Sequence, residues 1–107
     1  MNLRNILFIG LGNLGSALSI KIAEASKQLM INDLNLQVRD EIQEKYPNLF
    51  AVDLPAGFSE VNVILTCLPN SKDVQSVVDL AIQDPKNLES LRYWIDATSG
   101  SPKLSQQ

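Results

Sequence analysis

Phe8-Ile9-Gly10-Leu11-Gly12-Asn13-Leu14-Gly15 decides the fold of this chain. The stretch writes G-x-G-x-x-G at the end of the run Asn5-Ile6-Leu7-Phe8-Ile9, which reads as a short buried strand. Leu14, Ala17, Leu18, Ile22 and Ala25 then give the following segment an apolar stripe at helical spacing. Each glycine has a physical task. Gly10 permits a tight strand-to-helix turn, Gly12 lets a ligand approach the backbone, and Gly15 lets helix and strand pack closely. The N–H groups at the helix start, with the positive end of the helix dipole, form an anion site suited to a pyrophosphate. Asp33 follows a second apolar run, Leu29-Met30-Ile31, at the distance where a carboxylate meets a ribose 2′-OH. The bland alternative is a glycine turn that binds nothing. Strand, glycines, helix, strand and acid all stand in order, which weighs against it.

Working outward, the first helix is expected over Asn13 to Ala25, with Lys21, Glu24 and Lys27 toward solvent. Ser26 stands where a C-capping glycine is preferred. A strand follows over Leu29–Asn32, then a helix over Leu36–Lys45, stopped by Pro47-Asn48. Leu34, Val38 and Ile42 form its apolar stripe, and Arg39, Asp40, Glu41 and Glu44 its solvent face. Leu49–Val52 reads as a third strand, and the connection from Asp53 to Glu60 has room for one helical turn. Val61–Leu65 is a β-branched strand leading into Thr66-Cys67-Leu68-Pro69. Asn70 or Ser71 caps a helix over Lys72–Ile82 whose apolar face is Val74, Val77, Val78 and Ala81, with Asp73 in its first turn. Pro85 opens a short helical piece through Leu91, and Tyr93–Asp96 is the last strand.

This alternation predicts one α/β domain with a doubly wound parallel sheet. Right-handed crossovers give strand order 3-2-1-4-5, with the ligand crevice between strands 1 and 4. The carboxyl ends of strands 1, 2, 4 and 5 would then carry the glycine loop, Asp33, Leu68-Pro69 and Thr98-Ser99 to one edge. That convergence argues for a single site.

The chain has 107 residues, 45% hydrophobic and 20% charged, which is ordinary for a globular domain with a real core. A formal charge of −3 without a basic patch gives no reason to expect nucleic acid or an anionic membrane as partner. With no histidine, the chain has no His-based catalyst and no His metal ligand. Cys67 is the only cysteine, so no intrachain disulfide forms, which fits a reducing compartment. It reads as a small buried hydrophobe at a strand end. Met1-Asn2-Leu3-Arg4 runs straight into the first strand, so the expected location is the cytosol, or a mitochondrial matrix if a leader has been removed. Trp94 and Tyr93 are read as packing residues of the last strand, and Asp96 as fixing the turn before Thr98.

Three segments in order carry a family resemblance: Ile9-Gly10-Leu11-Gly12-Asn13-Leu14-Gly15, Thr66-Cys67-Leu68-Pro69, and Ile95-Asp96-Ala97-Thr98-Ser99-Gly100-Ser101-Pro102. Together they resemble the N-terminal Rossmann domain of the β-hydroxyacid dehydrogenases. These include 3-hydroxyisobutyrate dehydrogenase, tartronate semialdehyde reductase and glyoxylate/succinic semialdehyde reductase, with 6-phosphogluconate dehydrogenase more distant. The resemblance implies that Gly10, Leu11, Gly12, Asn13, Leu14 and Gly15 cradle the cofactor diphosphate. It implies that Leu68 and Pro69 lie along the nicotinamide half, and that Asp96, Thr98, Ser99 and Pro102 belong to a segment touching nicotinamide and substrate. Thr98 and Ser99 are thus the substrate-binding candidates, with Ser99 also on the cofactor.

Two departures shape the expectation. The family's Ser-Thr is here Thr98-Ser99, which keeps both hydroxyls in changed order. NADP-preferring members often show Asn-Arg after the second strand, whereas this chain has Asn32-Asp33. A carboxylate there hydrogen-bonds the ribose diol of NAD and repels the 2′-phosphate of NADP, so NAD is the expected cofactor. The resemblance further implies a second, all-helical domain with a catalytic lysine acting as general acid. The lysines present, at 21, 27, 45, 72, 86 and 103, all fall on solvent faces or connections, so no catalytic residue is assigned here. The expectation is a truncated dehydrogenase with an apolar patch uncovered beside its last strand, prone to self-association. A stand-alone NAD(H)-binding regulatory or partner-binding module is the alternative.

Overall fold

The structure is a computed structural model that describes residues 5–26, 29–59 and 61–97. Its elements are β1 (Ile6–Ile9), α1 (Asn13–Ser26), β2 (Leu29–Asn32), α2 (Leu36–Lys45), β3 (Leu49–Ala51), β4 (Val63–Thr66), α3 (Ser71–Ile82) and β5 (Tyr93–Asp96). Short 3-10 turns at Ala56–Phe58 and Pro85–Leu88 precede β4 and β5. The five strands form one parallel sheet in the expected order β3-β2-β1-β4-β5. Register aligns the carboxyl ends: Ile9 lies beside both Asn32 and Thr66, and Thr66 beside Asp96. Every loop leaving those strands therefore starts from the same rim.

Strand alternation divides the core into two layers. Leu7, Ile9 and Ile64 point to one face and pack with Phe58, Val61, Val77 and Ala81. Phe8 points to the other and packs with Leu29, Ile31, Leu49 and Ala23. Each fully buried aliphatic or aromatic chain contributes roughly 1.5–3 kcal/mol of transfer free energy. Both faces of β1 are covered, so its near-continuous apolar run is what a central parallel strand requires.

Helix α1 packs differently from the expected stripe. Leu14 is 51% exposed and Ala17 is exposed, while Gly15, Ser19 and Ala23 form the buried line with Leu18 and Ile22 beside it. The helix begins so close to the β1 turn that small side chains face the sheet. Ser19 is tolerated there because its hydroxyl donates to the Ser16 carbonyl at 2.9 Å.

Helix α2 starts at an Asn35 cap, whose Oδ1 accepts from the N–H groups of Gln37 and Val38. It buries no residue fully; Val38 and Ile42 pack partly, whereas Leu34 is 58% exposed. Arg39 departs from the expected solvent face: its side chain is only 12% exposed and reaches the β3 connection. Asn70 caps α3 by accepting from the Asp73 N–H at 3.0 Å. Strand β4 starts at Val63 rather than Val61, because the Val61 N–H bonds to the Phe58 carbonyl and so belongs to the preceding turn. No helix among the described residues is long and apolar enough to cross a membrane.

Candidate functional site

The loops at the carboxyl rim enclose a cleft of about 440 Å³ lined by Gly10 through Gly15, Asp33, Leu34, Asn35, Val38, Cys67, Leu68 and Pro69. Three of the four segments singled out in the sequence therefore meet. The fourth, Thr98-Ser99, together with Gly100 and Pro102, lies outside the described residues.

The glycines divide into two kinds. Gly10 has φ +108°, and a Cβ there would collide with the Cys67 carbonyl and sit 3.1 Å from Leu68 Cδ2. A Cβ on Gly15 would run into the Gly10 carbonyl. Those two positions are glycine because the chain packs on itself. Gly12 is the opposite case, since a Cβ there meets nothing within 4 Å. The fold alone does not demand glycine at 12, whereas a ligand approaching that backbone would. The Ser16 N–H bonds to the Gly12 carbonyl at 2.8 Å, so Gly12 is the residue from which α1 springs. The first-turn N–H groups that follow have no partner within the helix. Open space above unsatisfied donors at a helix start fits a diphosphate.

Asp33 closes the cleft in a way that periodicity does not reveal. Its Oδ2 accepts from the Leu11 N–H at 2.6 Å, and its Oδ1 accepts from the Asn35 N–H at 2.7 Å. The acid at the end of β2 thus ties down the glycine loop and starts the α2 cap. A carboxylate offers about four acceptor positions, so two backbone bonds leave capacity for a ribose hydroxyl. The Gly10 N–H donates to the Asn32 carbonyl at 2.9 Å, a second tie between loop and β2.

A polar network behind the site was missed by sequence reasoning. Asn32 is 5% exposed and donates Nδ2 to the Val52 carbonyl at 2.7 Å. Arg39 Nη1 donates to that same carbonyl at 3.0 Å and to Asp53 Oδ1 at 2.7 Å. These bonds hold the β3 connection against β2 and α2. A charged residue on an amphipathic helix reads as solvated, and no local signal marks its partner thirteen residues away. Asp33 and Leu34 also line a second cleft of about 690 Å³, shared with Asp53, Leu54 and Leu80.

On the opposite wall, Leu68 is buried and Pro69 is exposed at the rim. Cys67 is half-buried beside them rather than sealed in the core. Burial raises its thiol above the ordinary range, and the negative charge of Asp96 raises it further. Asp96 accepts from Thr66 Oγ1 at 3.0 Å, a bond that runs across the sheet, and the turn before Thr98 expected of it lies outside the described residues. Trp94 Nε1 reaches the same hydroxyl at 3.4 Å.

A parallel 3-2-1-4-5 sheet, a glycine loop at the switch point and an acid ending β2 define a dinucleotide-binding α/β domain of the Rossmann class. The family model for the NAD binding domain of 6-phosphogluconate dehydrogenase matches residues 5–107, and the chain belongs to that family of nicotinamide-cofactor-binding domains. The mitochondrial 3-hydroxyisobutyrate dehydrogenase of Drosophila melanogaster is 27% identical over 101 residues, 94% of this chain and 30% of that protein. The 3-hydroxyisobutyrate dehydrogenase of Mycobacterium tuberculosis, in a structure with L-serine, shares the fold at a TM-score of 0.71. It is 23% identical over 94% of this chain and 33% of its own. The L-tryptophan dehydrogenase of Nostoc punctiforme shares it at 0.60, with 19% identity over 94% of this chain and 28% of its own. The chain thus spans about a third of the length of these relatives.

Proposed function

We propose that the chain binds NAD at the carboxyl rim and serves as the cofactor domain of an oxidoreductase acting on a small β-hydroxyacid or semialdehyde. The observation that carries this reading is the open backbone at Gly12 beside the Asp33–Leu11 tie. In it, Gly10 to Gly15 hold the diphosphate, Asp33 accepts from the adenosine ribose, and Leu68 and Pro69 bound the nicotinamide half. NAD, when bound, supplies the hydride acceptor of such a reaction.

NAD is preferred over NADP on electrostatic grounds. A 2′-phosphate would bring like charge to a carboxylate already committed to two backbone donors, and no arginine stands at 33 to receive it. Thr98 and Ser99 are assigned to the substrate, with Ser99 also on the cofactor, on their resemblance to the family segment. The same resemblance implies a general acid, a lysine, on a second, helical domain. The substrate class follows the names of the 3-hydroxyisobutyrate dehydrogenases to which the chain is similar.

Isothermal titration of the chain and of Gly12→Val with NADH and NADPH tests this. Micromolar NADH binding, weaker NADPH binding and loss of both in the variant support it. Binding of neither, or tighter binding of NADPH, overturns it.

A further inference from the structure

The second cleft, of about 690 Å³, continues from the first, because Asp33 and Leu34 line both. A ligand anchored at the glycine loop and Asp33 passes from one to the other at Leu34. The walls of the second cleft are apolar, with Leu34 and Leu36 58% and 52% exposed and Leu54 and Leu80 beside them. Covering such surface with a flat ring removes apolar area from water and is favourable. The cleft also carries the carboxylates of Asp33, Asp53 and Asp79, and no lysine or arginine among the described residues lines it. That combination suits an uncharged ring that offers N–H donors, and it disfavours an anion.

On the reading that this rim binds NAD, we propose that Asp53 recognises the cofactor's base by accepting a hydrogen bond from the 6-amino group of adenine. Position carries the assignment. Ile31 lies beside Ala51, and Asn32 Nδ2 reaches the Val52 carbonyl at 2.7 Å, so Asp33 and Asp53 leave neighbouring strand ends. Neighbouring strands run about 4.8 Å apart, so carboxylates on adjacent strand ends fall within the span of one adenosine. The ribose meets the first and the base the second. Asp53 is also held in place. Arg39 Nη1 donates to its Oδ1 at 2.7 Å and to the Val52 carbonyl at 3.0 Å, which fixes a carboxylate whose side chain is 79% exposed. One donor leaves acceptor positions for another. Asp79 stands on α3, away from the strand ends, and accepts from Gln75 Nε2 at 2.8 Å. Hypoxanthine carries a carbonyl where adenine carries the amine, and that oxygen would meet the Asp53 carboxylate acceptor against acceptor.

Isothermal titration with NADH and with reduced nicotinamide hypoxanthine dinucleotide, run on the intact chain, Asp53→Ala and Asp79→Ala, tests the assignment. The parent should bind NADH roughly tenfold more tightly, the effect of one hydrogen bond to a charged group. Asp53→Ala should bring the two dissociation constants within about twofold of each other, chiefly by weakening NADH. The ratio is the readout, because a merely structural loss at the β3 connection weakens both dinucleotides alike and leaves the preference standing. Circular dichroism checks that the variants fold. Equal affinity of the parent for the two dinucleotides, an undiminished preference in Asp53→Ala, or its loss in Asp79→Ala alone overturns the proposal while the cofactor site stands. Binding of neither dinucleotide by the parent overturns that site as well.

Discussion

Asp33 accepts a 2.6 Å hydrogen bond from the Leu11 backbone, so the residue proposed to recognise the ribose also fastens the loop proposed to hold the diphosphate. Recognition and preorganisation thus share one carboxylate, and substitutions should separate them. Asp33→Asn keeps an oxygen acceptor and removes the charge. It should narrow the gap between NADH and NADPH affinity and, because its amide NH2 meets one of the two backbone donors the carboxylate accepted, lower the melting temperature, though by less than loss of both acceptors. Asp33→Ala removes both acceptors, and hydrogen bonds to charged groups are each worth about 1.5–3 kcal/mol. It should lower thermal stability and weaken both cofactors. Equal effects of the two substitutions on melting would show that the loop does not depend on Asp33.

Gly10 and Gly12 should respond in opposite ways. Gly10→Ala meets a left-handed backbone and the Cys67 carbonyl at once, and should cost at least about 2 kcal/mol of stability. Gly12→Ala has open space and should stay within about 1 kcal/mol of the parent. Its cofactor affinity should nevertheless fall, roughly tenfold or more, if a ligand lies against that backbone. Urea unfolding and titration with NADH, run on both variants, check the pair.

Arg39 should matter more than its ion pairs suggest. Asp53 is 79% exposed, so Asp53→Asn should change stability by less than about 1 kcal/mol. Arg39→Ala also removes the donor to the Val52 carbonyl and the packing of a stem only 12% exposed. A loss of about 1–2 kcal/mol is expected for that bond and stem. Chemical denaturation resolves the difference, and equal effects would reduce the network to a surface pair.

Cys67 should be a slow nucleophile. Burial, and then the charge of Asp96, hold its thiol above the usual value, so little thiolate is present at pH 8. Alkylation should lag behind that of an exposed thiol and gain rate only as pH rises further. The linked stability has a definite sign. A thiol pKa raised by folding adds stability that is complete below the unfolded value and fades as pH climbs through the folded one. Urea midpoints above pH 9 should therefore fall faster for the parent than for Cys67→Ala. Matching slopes would show that the thiol is not perturbed.

Most of the architecture was legible because it rests on short-range chemistry. Asn35 and Asn70 announce their helices by capping them within three residues. Strand order followed from βαβ alternation and crossover handedness, and β1 was readable because both its faces are buried. The face of α1 was not legible. Leu14 belongs to an apolar stripe at helical spacing, yet it lines the cleft, and Gly15, Ser19 and Ala23 take the buried line. Hydropathy ranks leucine above serine, but the gap beside β1 admits only small side chains.

By itself, then, the sequence determined the doubly wound sheet, the place of the glycine turn and the acid at the end of β2. Each of these depends on residues a few positions apart along the chain. Only the tertiary structure decided what those residues hold. Asp33 meets Leu11 across 22 residues, Arg39 meets Val52 across 13, and Thr66 meets Asp96 across 30. Such pairs form because parallel register brings remote strand ends to one rim, where the bonding partner of each polar group depends on the packed backbones and not on neighbours along the chain.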